Sequence, residues 1–177
     1  MIEVRTAHTS DLDATTLQAA RALLLDVFGD DLTAHDWEHA LGGVHALAWA
    51  GTELVGHASV IQRRLIHGGR ALRTGYVEGV GVRADHRGQG CASAMMTALE
   101  RVIRNAYEIG ALGASDDAAR MYAGRGWLPW QGTTWALTPR GTVRTFGEDD
   151  SVHVLPVSAP MDLMGPLTCD WRDGDPW

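Results

Sequence analysis

YVEGVGVRADHRGQGCA, residues 76 to 92, runs from an apolar segment into a glycine-rich basic turn and on into the start of a helix. A single carboxylate, Glu78, interrupts the apolar segment, and an acid there is costly unless it is paired, hydrogen-bonded or employed. Gly79 and Gly81 lie in the same segment, where glycine marks a bulge or the close approach of another chain. The turn from Arg83 to Ala92 aims a row of backbone N–H groups and a positive helix end at one spot, which suits a phosphate. Gly88 and Gly90 let the main chain wrap closely, and Arg83 and Arg87 can add charge-assisted bonds. A strand left open beside a diphosphate cradle suits coenzyme A, whose pantetheine amides can pair with the strand.

On the N-terminal side, IEVRTAH predicts a strand, and Leu17, Ala20, Leu24 and Val27 predict a helix by their spacing. HDWEH is expected on a short helix or ordered loop as a wall for substrate. Residues 45 to 84 alternate β-rich runs with glycine turns at Gly51 and at Gly68-Gly69, so three consecutive antiparallel strands are expected. On the C-terminal side, Met95, Met96, Leu99, Val102, Ile103 and Ala106 form one apolar face of a long helix expected to end at Gly110. A short strand, a cap at Ser115 or Asp116, and a brief helix carrying Tyr122 follow. WLPWQGTTWALTP and SVHVLPVS are expected as closing strands of a hairpin-like section around an acidic loop, with CDWRDGDPW as a tail.

Composition narrows the chemistry. All fifteen basic residues among the 177 are arginines, so a Schiff-base lysine and a P-loop lysine are both excluded. A net charge of -7 favours cationic partners over nucleic acid. The length suits one domain, expected over residues 1 to 177. Cys91 and Cys169 form no C-x-x-C pair and are expected as reduced thiols. No apolar stretch approaches the roughly 18 residues of a membrane span and no leader is visible, so a cytoplasmic location without membrane contact is expected. His35 and His39 supply half a metal site without a third ligand, and no metal is expected.

Arg87-Gly88-Gln89-Gly90-Cys91-Ala92 resembles the R/Q-x-x-G-x-G/A signature of GCN5-related N-acetyltransferases, in the strand-to-helix context that family requires. HDWEHALGG, VIQRRLI, GYVEGVGVRA, YAGRGWLPW and CDWRDGDPW are similar, in order and spacing, to segments of the aminoglycoside 2'-N-acetyltransferases. The resemblance implies an α/β acyltransferase fold, a mixed and mostly antiparallel sheet flanked by helices and splayed at the strand carrying Glu78. It implies transfer of the acetyl group of acetyl-CoA to the 2'-amine of a polycationic aminoglycoside, in a ternary complex and as a homodimer.

The acceptor amine is protonated near neutrality, so a base must take its proton, and Glu78 can do so directly or through water. Its burial is expected to raise its pKa toward the working range. The resemblance makes Tyr122 the general acid for the departing sulfur. It places Val80, Gly81, Val82, Arg87, Gly88, Gln89, Gly90, Cys91, Ala92 and Asp117 at the cofactor. Asp31, Asp36, Glu78, Gly79, Gly113, Glu148, Asp175 and the terminal carboxylate of Trp177 fall at the substrate, with Asp149 among the surrounding acids. Gly113 stands where relatives offer a serine. Two other functions fit the same residues: acetylation of a different amine, such as a polyamine or cell-wall amino sugar, and non-catalytic binding of aminoglycoside or acetyl-CoA.

Overall fold

β1 (Ile2–His8) opens the chain, and Asp13 then caps α1 (Ala14–Phe28) by accepting from the Thr16 amide at 2.7 Å. The computed structural model describes all 177 residues. Gly29, at φ 58°, ends α1 in a conformation that side-chain-bearing residues avoid. A capping box of Thr33 and Asp36 starts α2 (Ala34–His39). The remaining elements are β2 (Val44–Ala50), β3 (Glu53–His67), β4 (Arg70–Val82), α3 (Cys91–Ala106), β5 (Ile109–Gly113), α4 (Asp116–Ala123), β6 (Leu128–Pro129), β7 (Thr134–Thr138), β8 (Gly141–Arg144), β9 (Val152–Pro156) and β10 (Leu167–Cys169).

The chain forms two compact units, and β3, β4 and α3 run from one into the other. The first comprises Met1–Ile61 and Val77–Val102. In it β1, β2 and β3 pair antiparallel, and Ala20, Leu23 and Leu24 of α1 pack with Leu47 and Leu54. On α3 Met95 and Met96 are buried, as the helical spacing predicts.

The second comprises Gln62–Tyr76 and Ile103–Trp177, with strand order β6-β9-β5-β4-β3-β10-β7-β8. Two pairings there are parallel, β4 with β5 and β10 with β7. The β4–α3–β5 connection supplies the crossover that a parallel pair needs. Its ladder covers Thr74–Tyr76 against Ile109–Ala111, while β4 itself continues to Val82.

Three local expectations are corrected. The long helix ends at Ala106, and Gly110 lies inside β5, where a β-carbon would stand 2.9 Å from the Trp127 ring. The closing stretches pair only through their first residues: β6, from WLPW, joins β9 antiparallel and β9 also joins β5, whereas β7 joins β8 and β10. β8 and β10, too short to show a pattern of alternation, have no counterpart in the sequence reading.

Candidate active site

Two glycines shape the strand that carries Glu78, each for its own reason. Gly79 has φ 56°, a left-handed kink within β4, and its carbonyl accepts from the His57 ring at 2.8 Å. Gly81 makes room for α1, since a β-carbon there would stand 2.9 Å from Cδ2 of Leu24. A β-carbon on Gly79 would also meet Leu24, so Val80, between them, faces away from α1. Glu78 is half-buried.

Beyond β4 the turn is braced from within. Arg83 pairs with Glu53 and Asp85, and its amide donates to the Val55 carbonyl at 3.0 Å. The expected anion contact from Arg83 is therefore corrected to a bracing role, because two carboxylates already hold its guanidinium. Arg87 Nε donates to the Val82 carbonyl at 3.2 Å, and the side chain stays exposed. Gln89 Nε2 donates to the Asp85 carbonyl at 3.1 Å. Gly88 (φ 73°) and Gly90 (φ 81°) are both left-handed, with open space where a β-carbon would stand.

Gly90 precedes α3 with no side chain to cap it, and the first turn carries no acid. The start of this 16-residue helix carries the positive end of its dipole, which suits an anionic acceptor. Cys91, at that end, is buried, with its thiol 3.6 Å from the His86 carbonyl, while Ala92 is half-buried. These features fit a diphosphate, and the run through Val80 and Val82 fits an amide-bearing arm.

The second unit holds the remaining candidates. Tyr122, on α4, is 4% exposed and packs edge-on against Trp127 at 6.1 Å. Burial pushes its hydroxyl up to about 12, so it stays protonated. Gly113 ends β5 exposed, where a β-carbon would stand 4.0 Å from the Tyr76 hydroxyl, and Asp117 lies exposed in the first turn of α4.

Acids near the chain's end divide by task. Asp149 makes a bidentate ion pair with Arg144 and accepts from the Thr134 amide and hydroxyl, at 3.0 and 2.8 Å. Those bonds hold its carboxyl well below the usual range and spend its charge inside the fold. Glu148 accepts from the Ser151 hydroxyl at 2.6 Å. Asp175 Oδ1 accepts from the Trp177 amide at 2.9 Å, and the buried Trp177 donates from its indole to Thr145 Oγ1 at 2.9 Å.

In the first unit, Asp31 is exposed after α1, and Asp36 spends two contacts, 2.7 and 2.8 Å, on Thr33 in the α2 cap. His35 and His39 stack at 6.5 Å on α2.

The family model described as an acetyltransferase (GNAT) domain matches residues 8–129. The chain is a GNAT acetyltransferase. This acetyltransferase is 52% identical to the aminoglycoside 2'-N-acetyltransferase of Mycolicibacterium fortuitum, over 98% of its own length and 91% of that protein. Its fold matches the GNAT-family YhbS of Escherichia coli, solved in complex with CoA, at TM-score 0.66 and 15% identity, covering 95% and 89% of the two chains. Escherichia coli ElaA matches at TM-score 0.61 and 21% identity, covering 88% of the acetyltransferase and 99% of ElaA.

Residues that the sequence reading passed over brace these parts. His45 and His57 lie fully buried behind Gly79, and Arg63 and Arg172 hold the tail. The only sequence signal for the two histidines is a polar residue at an inward position of an otherwise apolar strand, in HALAW and VGHASV.

Proposed function

We propose that this enzyme acetylates the 2'-amine of aminoglycosides. The observation that carries the reading is the 52% identity, over nearly the whole chain, to a protein of that name. The net charge of -7 supports a polycationic acceptor.

Acetyl-CoA supplies an activated acetyl thioester. The start of α3, with Gly88, Gln89, Gly90, Cys91, Ala92 and Arg87, holds the diphosphate, supported by an acid-free first turn and the open space over both glycines. Asp117 lies near the same cofactor. Val80, Gly81 and Val82 offer main chain to the pantetheine arm, and the Val80 amide polarises the thioester carbonyl. Glu78 takes the proton of the attacking amine, directly or through water. Tyr122 gives a proton to the departing sulfur, supported by a hydroxyl that burial keeps protonated.

Asp31, Asp36, Glu148 and Asp175 attract the cationic acceptor, with Gly79, Gly113 and Trp177 lining its place. The reading takes the 177 residues as one catalytic domain, working as a cytoplasmic homodimer on a small molecule without nucleic acid or membrane. Sedimentation velocity tests the homodimer, with a monomer as the contrary result.

The test of function is free-thiol release from acetyl-CoA with tobramycin, which has a 2'-amine, against kanamycin A, which has a hydroxyl there. Rapid release with the first and little with the second supports 2'-N-transfer. Release with neither, while acetyl-CoA binds, overturns it in favour of another amine or a binding protein.

A further inference from the structure

Within the first unit a line of hydrogen bonds runs from Thr9 to the Glu78 strand. Thr9 Oγ1 lies 2.8 Å from His45 Nε2, His45 Nδ1 lies 2.9 Å from His57 Nε2, and His57 Nδ1 lies 2.8 Å from the Gly79 carbonyl oxygen. Both rings are fully buried, and burial pushes each down to about 4, so both are neutral at pH 7.

A neutral imidazole has one donor and one acceptor, and a carbonyl only accepts, so the direction of the line is fixed. His57 donates from Nδ1 to Gly79, and its Nε2 accepts from His45 Nδ1–H. His45 Nε2 then accepts from the Thr9 hydroxyl. Thr9 Oγ1 in turn accepts from the Gly42 amide at 2.9 Å, its contact with the Gly43 carbonyl being the longer one at 3.3 Å. The rings of Trp37 and His45, with centroids 6.1 and 5.2 Å away, wall His57 in place.

The Gly79 carbonyl and the Val80 N–H belong to one planar trans peptide, so fixing the oxygen fixes the direction of the N–H on the opposite side. A bond to the carbonyl also polarises the amide and strengthens the N–H as a donor. Gly79 is the residue of β4 with left-handed backbone, so this peptide is turned out of the regular strand and needs such a hold. We propose that His57 is a positioning residue for acetyl transfer, aiming and polarising the Val80 amide through the Gly79 carbonyl, with His45 and Thr9 fixing its tautomer. This rests on the reading above that the Val80 amide serves the thioester carbonyl.

Two substitutions separate that role from plain core packing. In His57→Asn the side-chain amide can take the place of Nδ1 and still donate to Gly79. In His57→Gln it can take the place of Nε2, keeping His45 satisfied and withdrawing the donor from Gly79. Weakening one oxyanion donor is expected to lower kcat about tenfold in His57→Gln, with acetyl-CoA affinity little changed, and His57→Asn is expected to recover most of that loss.

The two variants each lose one bond, so their melting temperatures should fall alike. Equal kcat losses, or losses that follow melting temperature, would overturn the proposal. Nitrogen-15 NMR at pH 7 should find His57 as the Nδ1–H tautomer, and the Val80 amide proton should shift upfield in His57→Gln and not in His57→Asn. An Nε2–H tautomer, or an unmoved Val80 amide, would also overturn it. These spectra need no turnover, so an absence of thiol release in the parent enzyme would sink the functional reading alone.

Discussion

Arg63 Nη2 lies 2.7 Å from the carbonyl oxygen of Pro176, 113 positions further along the chain. The same guanidinium, 3% exposed, binds Asp170 Oδ1 through Nε at 2.8 Å and lies over the Tyr76 ring at 4.7 Å. Its Nη1 is buried without a hydrogen-bond partner, so the residue contributes by anchoring the tail against a desolvation cost of its own.

Arg63→Met should therefore free the tail and leave Asp170 with the Arg64 amide but without its ion pair, at a cost of about 2 kcal/mol. Thermal unfolding measures the loss, and trypsin should then cut after Arg172 faster than in the parent protein. Since the tail carries Asp175, KM for the aminoglycoside should rise more than KM for acetyl-CoA.

Acid should weaken the fold through His45 and His57. Their folded values, about 4, lie below the ordinary value of 6.5. Between those limits the unfolded chain binds protons that the folded one refuses, so stability rises with pH across that window and falls as pH drops through it. Each ring contributes at most about 3 kcal/mol to that fall. Urea unfolding from pH 7 to pH 4 should show it, with a shallower slope in His57→Asn.

Gly88→Val places a branched side chain at φ 73°, a strained conformation in the turn read as a phosphate cradle. Calorimetry should show acetyl-CoA binding weakened about tenfold, following the loss of aligned main-chain donors, with aminoglycoside binding unchanged. Equal losses would move the phosphates elsewhere.

Tyr122→Phe removes one oxygen from a buried site and should leave the melting temperature within a few degrees. Loss of a general acid should lower kcat about a hundredfold. With the hydroxyl held near 12, no alkaline limb of the rate profile below pH 10 should belong to Tyr122.

Two acids should part company on substitution. Asp149→Asn breaks the Arg144 pair and should lower stability without touching drug affinity. Asp31→Asn, at an exposed position, should leave stability within about 0.5 kcal/mol and lower drug affinity, with a shallower dependence on salt.

The strand-turn-helix at residues 76 to 106 was legible because three signals coincide: an apolar strand, glycines before a helix start, and a 3.6-residue period. The end of that helix was not, since Gly110 reads as a stop when its actual neighbour, the Trp127 ring, is distant in sequence. Pairing was equally hidden: nothing in SVHVLPVS says that it joins β5. Among the acids, residue type could not separate Asp149, neutralised by Arg144, from its exposed neighbours, because the difference lies in a partner's geometry. His57 was silent for the same reason, its meaning resting on a carbonyl 22 residues away.

The segment from Asp170 to Trp177 is gripped by its main chain: Arg63 bonds the carbonyls of Asp170 and Pro176, and Arg172 those of Asp175 and Trp177. A hold on peptide groups is indifferent to many of the side chains between them. Trp171, 47% exposed, can be exchanged without loosening it. Two arginines thus leave a stretch of surface open to mutational exploration while folding stays intact.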